Sequence, residues 1–187
     1  MKNKIISLFL NLFLFFIFTS QLNASDLAWN LAQKGNKIIL IRHSLAPGGG
    51  DPAGFKIDDC ETQRNLNKKG INQSKKIGKL FKKNKIPLDV VLSSQWCRCK
   101  DTAKYAFGNY KEFTPLNSTF QSPYNKNEGK QLKEIYDYVK QWDGKGKNLV
   151  LITHYSIITA LTNAVPSSGE IVVADQNFKV LGTIQTD

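Results

Sequence analysis

Three short apolar runs constrain this chain more than any other feature of its sequence. Ile38-Ile39-Leu40-Ile41, Leu88-Asp89-Val90-Val91-Leu92 and Asn148-Leu149-Val150-Leu151-Ile152-Thr153 are each a handful of residues long and rich in branched side chains. A short, nearly continuous apolar run bounded by turn signals reads as a strand covered on both faces, which is the habit of parallel sheets. Amphipathic helical patterns separate the runs. Asn65 or Asn67 can cap a helix reaching about Asn84, with Ile71, Ile77, Leu80 and Phe81 on its apolar stripe and seven lysines on its wet side. Further helices are expected over Ser25 to Gly35, from Ser93-Ser94 through Phe107, from Gly129 to Trp142 and over Ile157–Asn163. A short strand is expected at Glu112–Pro115, and a terminal antiparallel pair at Gly169–Ala174 and Lys179–Thr183. Strands alternating with helices predict an α/β chain, a three-layer α/β/α sandwich around a mostly parallel central sheet.

The first 24 residues stand apart from this pattern. Lys2 and Lys4 precede an almost unbroken apolar run from Ile5 to Phe18, and Thr19 to Ala24 is more polar and ends in a small residue. That is the form of a secretory signal peptide cut after Ala24. Removing 24 of 187 residues leaves 163 (25–187), enough for one domain with a substantial core, and loss of the two lysines takes the net charge from +11 to +9. The expected product is exported, periplasmic or secreted, a monomer, with no stable membrane insertion after cleavage. Excess positive charge suits anionic partners. No basic-aromatic stripe or known nucleic-acid motif accompanies it, so nucleic acid is not an expected partner.

Cysteine usage fits export. Cys60, Cys97 and Cys99 allow one disulfide and one leftover thiol in an oxidising compartment. Cys97 and Cys99 are too close to pair comfortably, so Cys60 is expected to bridge to one of them, and the spacing does not say which. Two cysteines at that spacing and two distant histidines fit no common zinc set, so no metal is expected.

Chemistry concentrates at the strand ends. The chain has two histidines. His43 follows the first run with Arg42 before it, and His154 directly follows the third. The second run leads into Ser93-Ser94-Gln95-Trp96-Cys97-Arg98. In open α/β sheets ligands bind beyond the carboxyl ends of the strands. Parallel strands would therefore bring Arg42, His43, Arg98 and His154 to one edge. Paired arginine forks suit a phosphoryl group, whose charge grows in the transition state. A neutral imidazole can attack phosphorus through one nitrogen if a backbone acceptor holds the other. No cofactor is needed.

Ile41-Arg42-His43, then Leu92-Ser93-Ser94 with Arg98 and Thr102-Ala103, then Ile152-Thr153-His154 resemble the three signatures of the histidine phosphatase superfamily, also called phosphoglycerate mutase-like. The match spans roughly residues 37 to 160. The resemblance implies a phosphoglycerate mutase-like fold, with His43 as the nucleophile and Arg42, Arg98 and His154 completing the phosphate pocket. Export and the cysteine-bearing loop look similar to small periplasmic members, including those linked to lipopolysaccharide core phosphate.

Two departures carry expectations. Many members have Gly after the nucleophilic His, where this chain has Ser44, whose hydroxyl is expected near the substrate. Mutase-type members use a Glu after the second signature as proton donor, and Glu112 and Glu128 are the residues available there. Phytase-type members use an Asp after the second His, where this chain has Tyr155, a further candidate for substrate contact. Asp51, Asp58 and Asp59, close to His43 in sequence, are the other candidate donors, with Asp51 foremost. Asp51 follows Gly48-Gly49-Gly50 in a long loop running to about Arg64, and loops of that length are usually functional or tied down.

The expected function is that of an exported, metal-independent phosphomonoesterase of the histidine acid-phosphatase type. It would hydrolyse a phosphorylated small molecule or glycan through a phosphohistidine on His43. The alternative is a non-catalytic binder of phosphorylated envelope glycans or lipid head groups.

Overall fold

The computed structural model describes residues 24–187. The expected signal segment lies outside the described residues, apart from Ala24. The strands are β1 (Ile38–Arg42), β2 (Leu88–Ser93), β3 (Lys111–Glu112), β4 (Asn148–Thr153), β5 (Ile171–Ala174) and β6 (Val180–Ile184). The helices are α1 (Ala24–Gln33), α2 (Lys68–Lys83), α3 (Cys97–Phe107), α4 (Glu128–Gln141) and α5 (Tyr155–Thr162). One sheet runs β3-β2-β4-β1-β5-β6. β1, β2, β3 and β4 are mutually parallel, and β5 and β6 add an antiparallel margin.

The two-residue period of a strand sorts the apolar runs into two layers. Ile39, Ile41, Val91, Val150 and Ile152 pack with Ala28 and Trp29 of α1, Ile77 and Phe81 of α2, and Cys99 and Ala103 of α3. Ile38, Leu40, Leu92, Leu149 and Leu151 pack on the other side with Ile135 and Val139 of α4 and Ile157, Ile158 and Leu161 of α5. The sheet is therefore mostly parallel and covered by helices on both faces. Each buried branched side chain stabilises by roughly 1.5–3 kcal/mol, so β1 alone is a strong anchor for the residues that follow it.

Local chemistry sets the element ends. Of the two candidate caps, Asn67 is the one that works: its side chain accepts from Gly70 N at 2.9 Å. A Cβ added to Gly78 would meet Ala106 O at 2.2 Å, so only glycine permits the close approach of α2 to α3. The expected helix start at Ser93-Ser94 is corrected to Cys97. Ser93 remains in β2, and Ser94 N extends the ladder by donating to Ile152 O at 2.9 Å. The short strand expected at Glu112–Pro115 is corrected to Lys111–Glu112, followed by a 3-10 turn over Thr114–Leu116 that takes Pro115 into its first turn. Cys60 pairs with Cys97, and Cys99 is a buried free thiol.

Register decides what meets beyond the sheet. β4 lies between β1 and β2, with Thr153 level with Arg42 and Ile152 level with Ser93. His43, Ser94 and His154 therefore leave three adjacent parallel strands side by side.

Candidate active site

His43 is buried just past β1, and its backbone N donates to Thr153 O at 3.0 Å. Its ring Nδ1 lies 2.9 Å from Ser44 O. A carbonyl only accepts, so the network assigns the proton to Nδ1 and leaves the lone pair on Nε2. Burial, then the charge of Arg98, push the His43 pKa well below its usual value, which keeps the ring neutral and Nε2 nucleophilic near pH 7.

Ser44 acts through its backbone. Its hydroxyl accepts from Ser74 Oγ of α2 at 2.8 Å, and its N donates to Thr102 Oγ1 of α3 at 3.0 Å. The expected contact of the Ser44 side chain with substrate is not what this placement provides: the hydroxyl turns into α2, away from the cavity. A Cβ on Gly70 would lie 2.1 Å from Leu45 O, so the turn after His43 sits directly on α2.

His154 precedes α5, with ring centroids 5.4 Å from both His43 and Trp96. Arg98 Nη2 approaches His154 Nδ1 at 3.5 Å, and Ser94 Oγ lies 3.0 Å from Nε2. Arginine can only donate, so Nε2 carries the proton toward Ser94, which in turn donates to Asn117 Oδ1 at 3.1 Å. Burial and then the Arg98 charge also push the His154 pKa well down. Cys99 Sγ lies 3.4 Å from the same Nε2. Burial drives that thiol's pKa up to about 12, so it stays protonated and inert.

Arg98, on the first turn of α3, is the hub. Its Nη1 and Nη2 meet Asp51 Oδ1 and Oδ2 at 2.7 and 3.0 Å. Asp51 also accepts from Trp96 Nε1 at 3.0 Å and from Arg64 N at 3.1 Å. Burial raises the Asp51 pKa, but the Arg98 hydrogen bonds and charge outweigh it and hold the carboxyl below its usual value. An ionised carboxylate accepting four hydrogen bonds has no proton to give, so this placement does not suit the expected proton donor. Glu128 accepts from Thr119 Oγ1 at 2.9 Å, and Glu112 pairs with Lys100 at 3.4 Å; neither lines the cavity.

Arg42 donates from Nη1 to Pro166 O at 2.8 Å and lies 5.8 Å from the ring centroid of Tyr155. The Nε atoms of Arg42 and Arg98 are buried without a hydrogen-bond partner, which leaves both forks incompletely paired. These groups surround a cavity of about 110 Å³ lined by Arg42, His43, Asp51, Arg64, Arg98, His154, Tyr155, the three glycines Gly48 to Gly50, and Ser118, Phe120, Gln121 and Ser156. That volume is on the scale of a few water molecules. Three guanidinium groups and one carboxylate give the cavity a net positive charge, suited to an oxyanion.

Four of the candidates read from sequence, Arg42, His43, Arg98 and His154, thus meet at one point, with Asp51 and Tyr155 beside them. Sequence reasoning misses Arg64, which stands at the end of a featureless loop. Its Nε donates to Gly50 O at 2.6 Å and its Nη1 to Ala46 O, clipping the glycine loop over the pocket. Its only sequence signal is its nearness to Cys60.

No protein-family model and no curated protein matches the chain. Solved structures do. The protein histidine phosphatase SixA complexed with tungstate is 13% identical, with 77% of this chain and 92% of that one covered at a TM-score of 0.51. A putative phosphohistidine phosphatase SixA from Agrobacterium tumefaciens is 17% identical, covering 81% and 99% at 0.55. A phosphoglycerate mutase from Thermus thermophilus is 15% identical, covering 81% and 99% at 0.54. The fold of this chain is the phosphoglycerate mutase-like α/β fold that these structures share.

Proposed function

We propose that the chain is an exported, metal-independent phosphatase that transfers a phosphoryl group to His43 and hydrolyses the resulting phosphohistidine. One observation carries the reading: His43 holds its proton on Nδ1 against Ser44 O, inside a cavity lined by three arginines and a second histidine. The lone pair of Nε2 attacks phosphorus, and the bond to the leaving oxygen breaks with its electron pair on that oxygen. Arg42, Arg64 and Arg98 stabilise the charge on the non-bridging oxygens. Water then attacks the phosphohistidine, releasing phosphate and restoring the neutral ring. Asp51 holds Arg98 in place throughout. The Cys60–Cys97 disulfide supports export, since such bonds persist in oxidising compartments.

The test is phosphate release from an aryl phosphate by the protein and by His43→Ala. Wild-type turnover, an acid-labile phosphoenzyme after quenching, and loss of both in the variant are expected. Full activity in His43→Ala would refute the proposal. Ligand binding without any turnover would favour the non-catalytic binder instead.

A further inference from the structure

The cavity accounts for the phosphoryl end of a substrate, and its rim bears on the other end. Phe120 lines the cavity yet is 64% exposed, and it packs into neither buried cluster. A single exposed apolar residue ordinarily needs no explanation. This one is held in place on both sides. Thr119 N donates to Ser156 Oγ of α5 at 3.2 Å, and Thr119 Oγ1 donates to Glu128 Oε2 of α4 at 2.9 Å. Phe120 N donates to Ser118 Oγ at 3.3 Å, and Gln121 Oε1 accepts from Asp51 N at 2.8 Å. The backbone is thus pinned to two helices before the ring and to the glycine loop after it. Tyr155, 37% exposed, lines the same cavity. Two aromatic rings therefore border the opening.

The acid-base inventory points the same way. Among the described residues Asp51 is the only carboxylate on the cavity wall, and Arg98 holds it ionised. A leaving oxygen must then depart without a proton from a protein carboxyl. An aliphatic alkoxide is about as basic as hydroxide and a poor leaving group without a proton. A phenol, with a pKa of about 10, departs as its anion far more readily.

We propose that the rim is an aromatic subsite, that Phe120 is its specificity-determining side chain, and that the substrate is the phosphate ester of a small phenol. The proposal rests on the phosphatase reading of His43. As His43 Nε2 bonds to phosphorus, the phosphorus–oxygen bond to the aryl group breaks. The phenolate keeps the electron pair and takes its proton from water.

The test is calorimetric binding of phenylphosphonate and methylphosphonate, neither of which can be hydrolysed, to the protein and to Phe120→Ala. Stacking on an aromatic ring predicts a phenyl-over-methyl preference of about tenfold, falling toward unity in the variant. Equal affinities in the wild type, or a preference that survives in Phe120→Ala, would overturn the subsite. Neither outcome depends on turnover. A flat ratio with His43-dependent phosphate release overturns the subsite alone, and a lost preference in a protein without turnover overturns the catalytic reading alone.

Discussion

Asp51→Asn is the perturbation that separates the two roles open to this carboxylate. Both oxygens face Arg98, at 2.7 and 3.0 Å, and the carboxylate is 2% exposed. At an effective dielectric near 20, two unit charges about 4 Å apart attract by roughly 4 kcal/mol. Breaking a buried pair by removing one partner costs about 3–5 kcal/mol, because the surviving charge is left uncompensated. Asparagine keeps one acceptor and turns an NH₂ toward the other guanidinium nitrogen, so a cost of about 3 kcal/mol is expected. For a chain of this size that is a fall in Tm of roughly 6–12 °C. Vanadate should recover part of it, since a bound oxyanion supplies the missing negative charge. At a concentration a hundred times the wild-type Kd, the ligand stabilises the wild type by about 2.7 kcal/mol, and at that same concentration the gain in the variant should be larger. The assay is thermal unfolding of both proteins with and without vanadate. A fall under 2 °C, or an equal vanadate shift in both, would refute the structural role and return Asp51 to candidacy as a proton donor.

Two other expectations follow from buried groups. His43 and His154 both have pKa values lowered in the folded state, so their contribution to stability is complete above the unfolded value of about 6.5 and is lost as pH falls toward the folded values. Unfolding free energies from urea titrations at pH 7, 6 and 5 should fall with a slope of up to about 2.7 kcal/mol per pH unit, and stability rising on acidification would contradict the neutral burial of the rings. Cys60 and Cys97 lie 37 residues apart, a span whose closure contributes about 4 kcal/mol. A reductant should therefore lower Tm by about 10 °C and weaken vanadate binding, because the bridge ties the loop bearing Arg64 to the helix bearing Arg98. An unchanged Tm after verified reduction would count against this.

Legibility in the sequence follows the range of the interaction. The parallel sheet can be read because β1 and β4 are buried on both faces and so carry unbroken apolar runs, whereas β3, two residues long and exposed, carries almost no signal. His43 and His154 can be read as site residues because strand ends are fixed by the strands themselves. The direction of Ser44 is not legible, because a residue just past a strand can turn either way. That direction is decided by Ser74 and Thr102, 30 and 58 residues on. The choice between Cys97 and Cys99 depends likewise on which face of α3 meets the core, where Cys99 lies fully buried.

Asp51 shows why a site's composition does not give its chemistry. A carboxylate eight residues from the proposed nucleophile invites the reading of a proton donor, and what reverses it is a single long-range contact with Arg98. That contact has a consequence for the guanidinium as well. Paired with Asp51, Arg98 can be buried at 2% exposure beside two imidazoles that its charge helps to keep neutral. Free of Asp51, the same cation would lie unpaired against His43 and His154 in a low-dielectric pocket, where an uncompensated charge is costly. The carboxylate therefore lets three arginines share one small cavity before any oxyanion arrives, and it leaves a net positive charge suited to one. The proposed chemistry does without a protein carboxylic acid for the same reason, because Asp51, the one carboxylate lining the cavity among the described residues, is committed to holding the cations together.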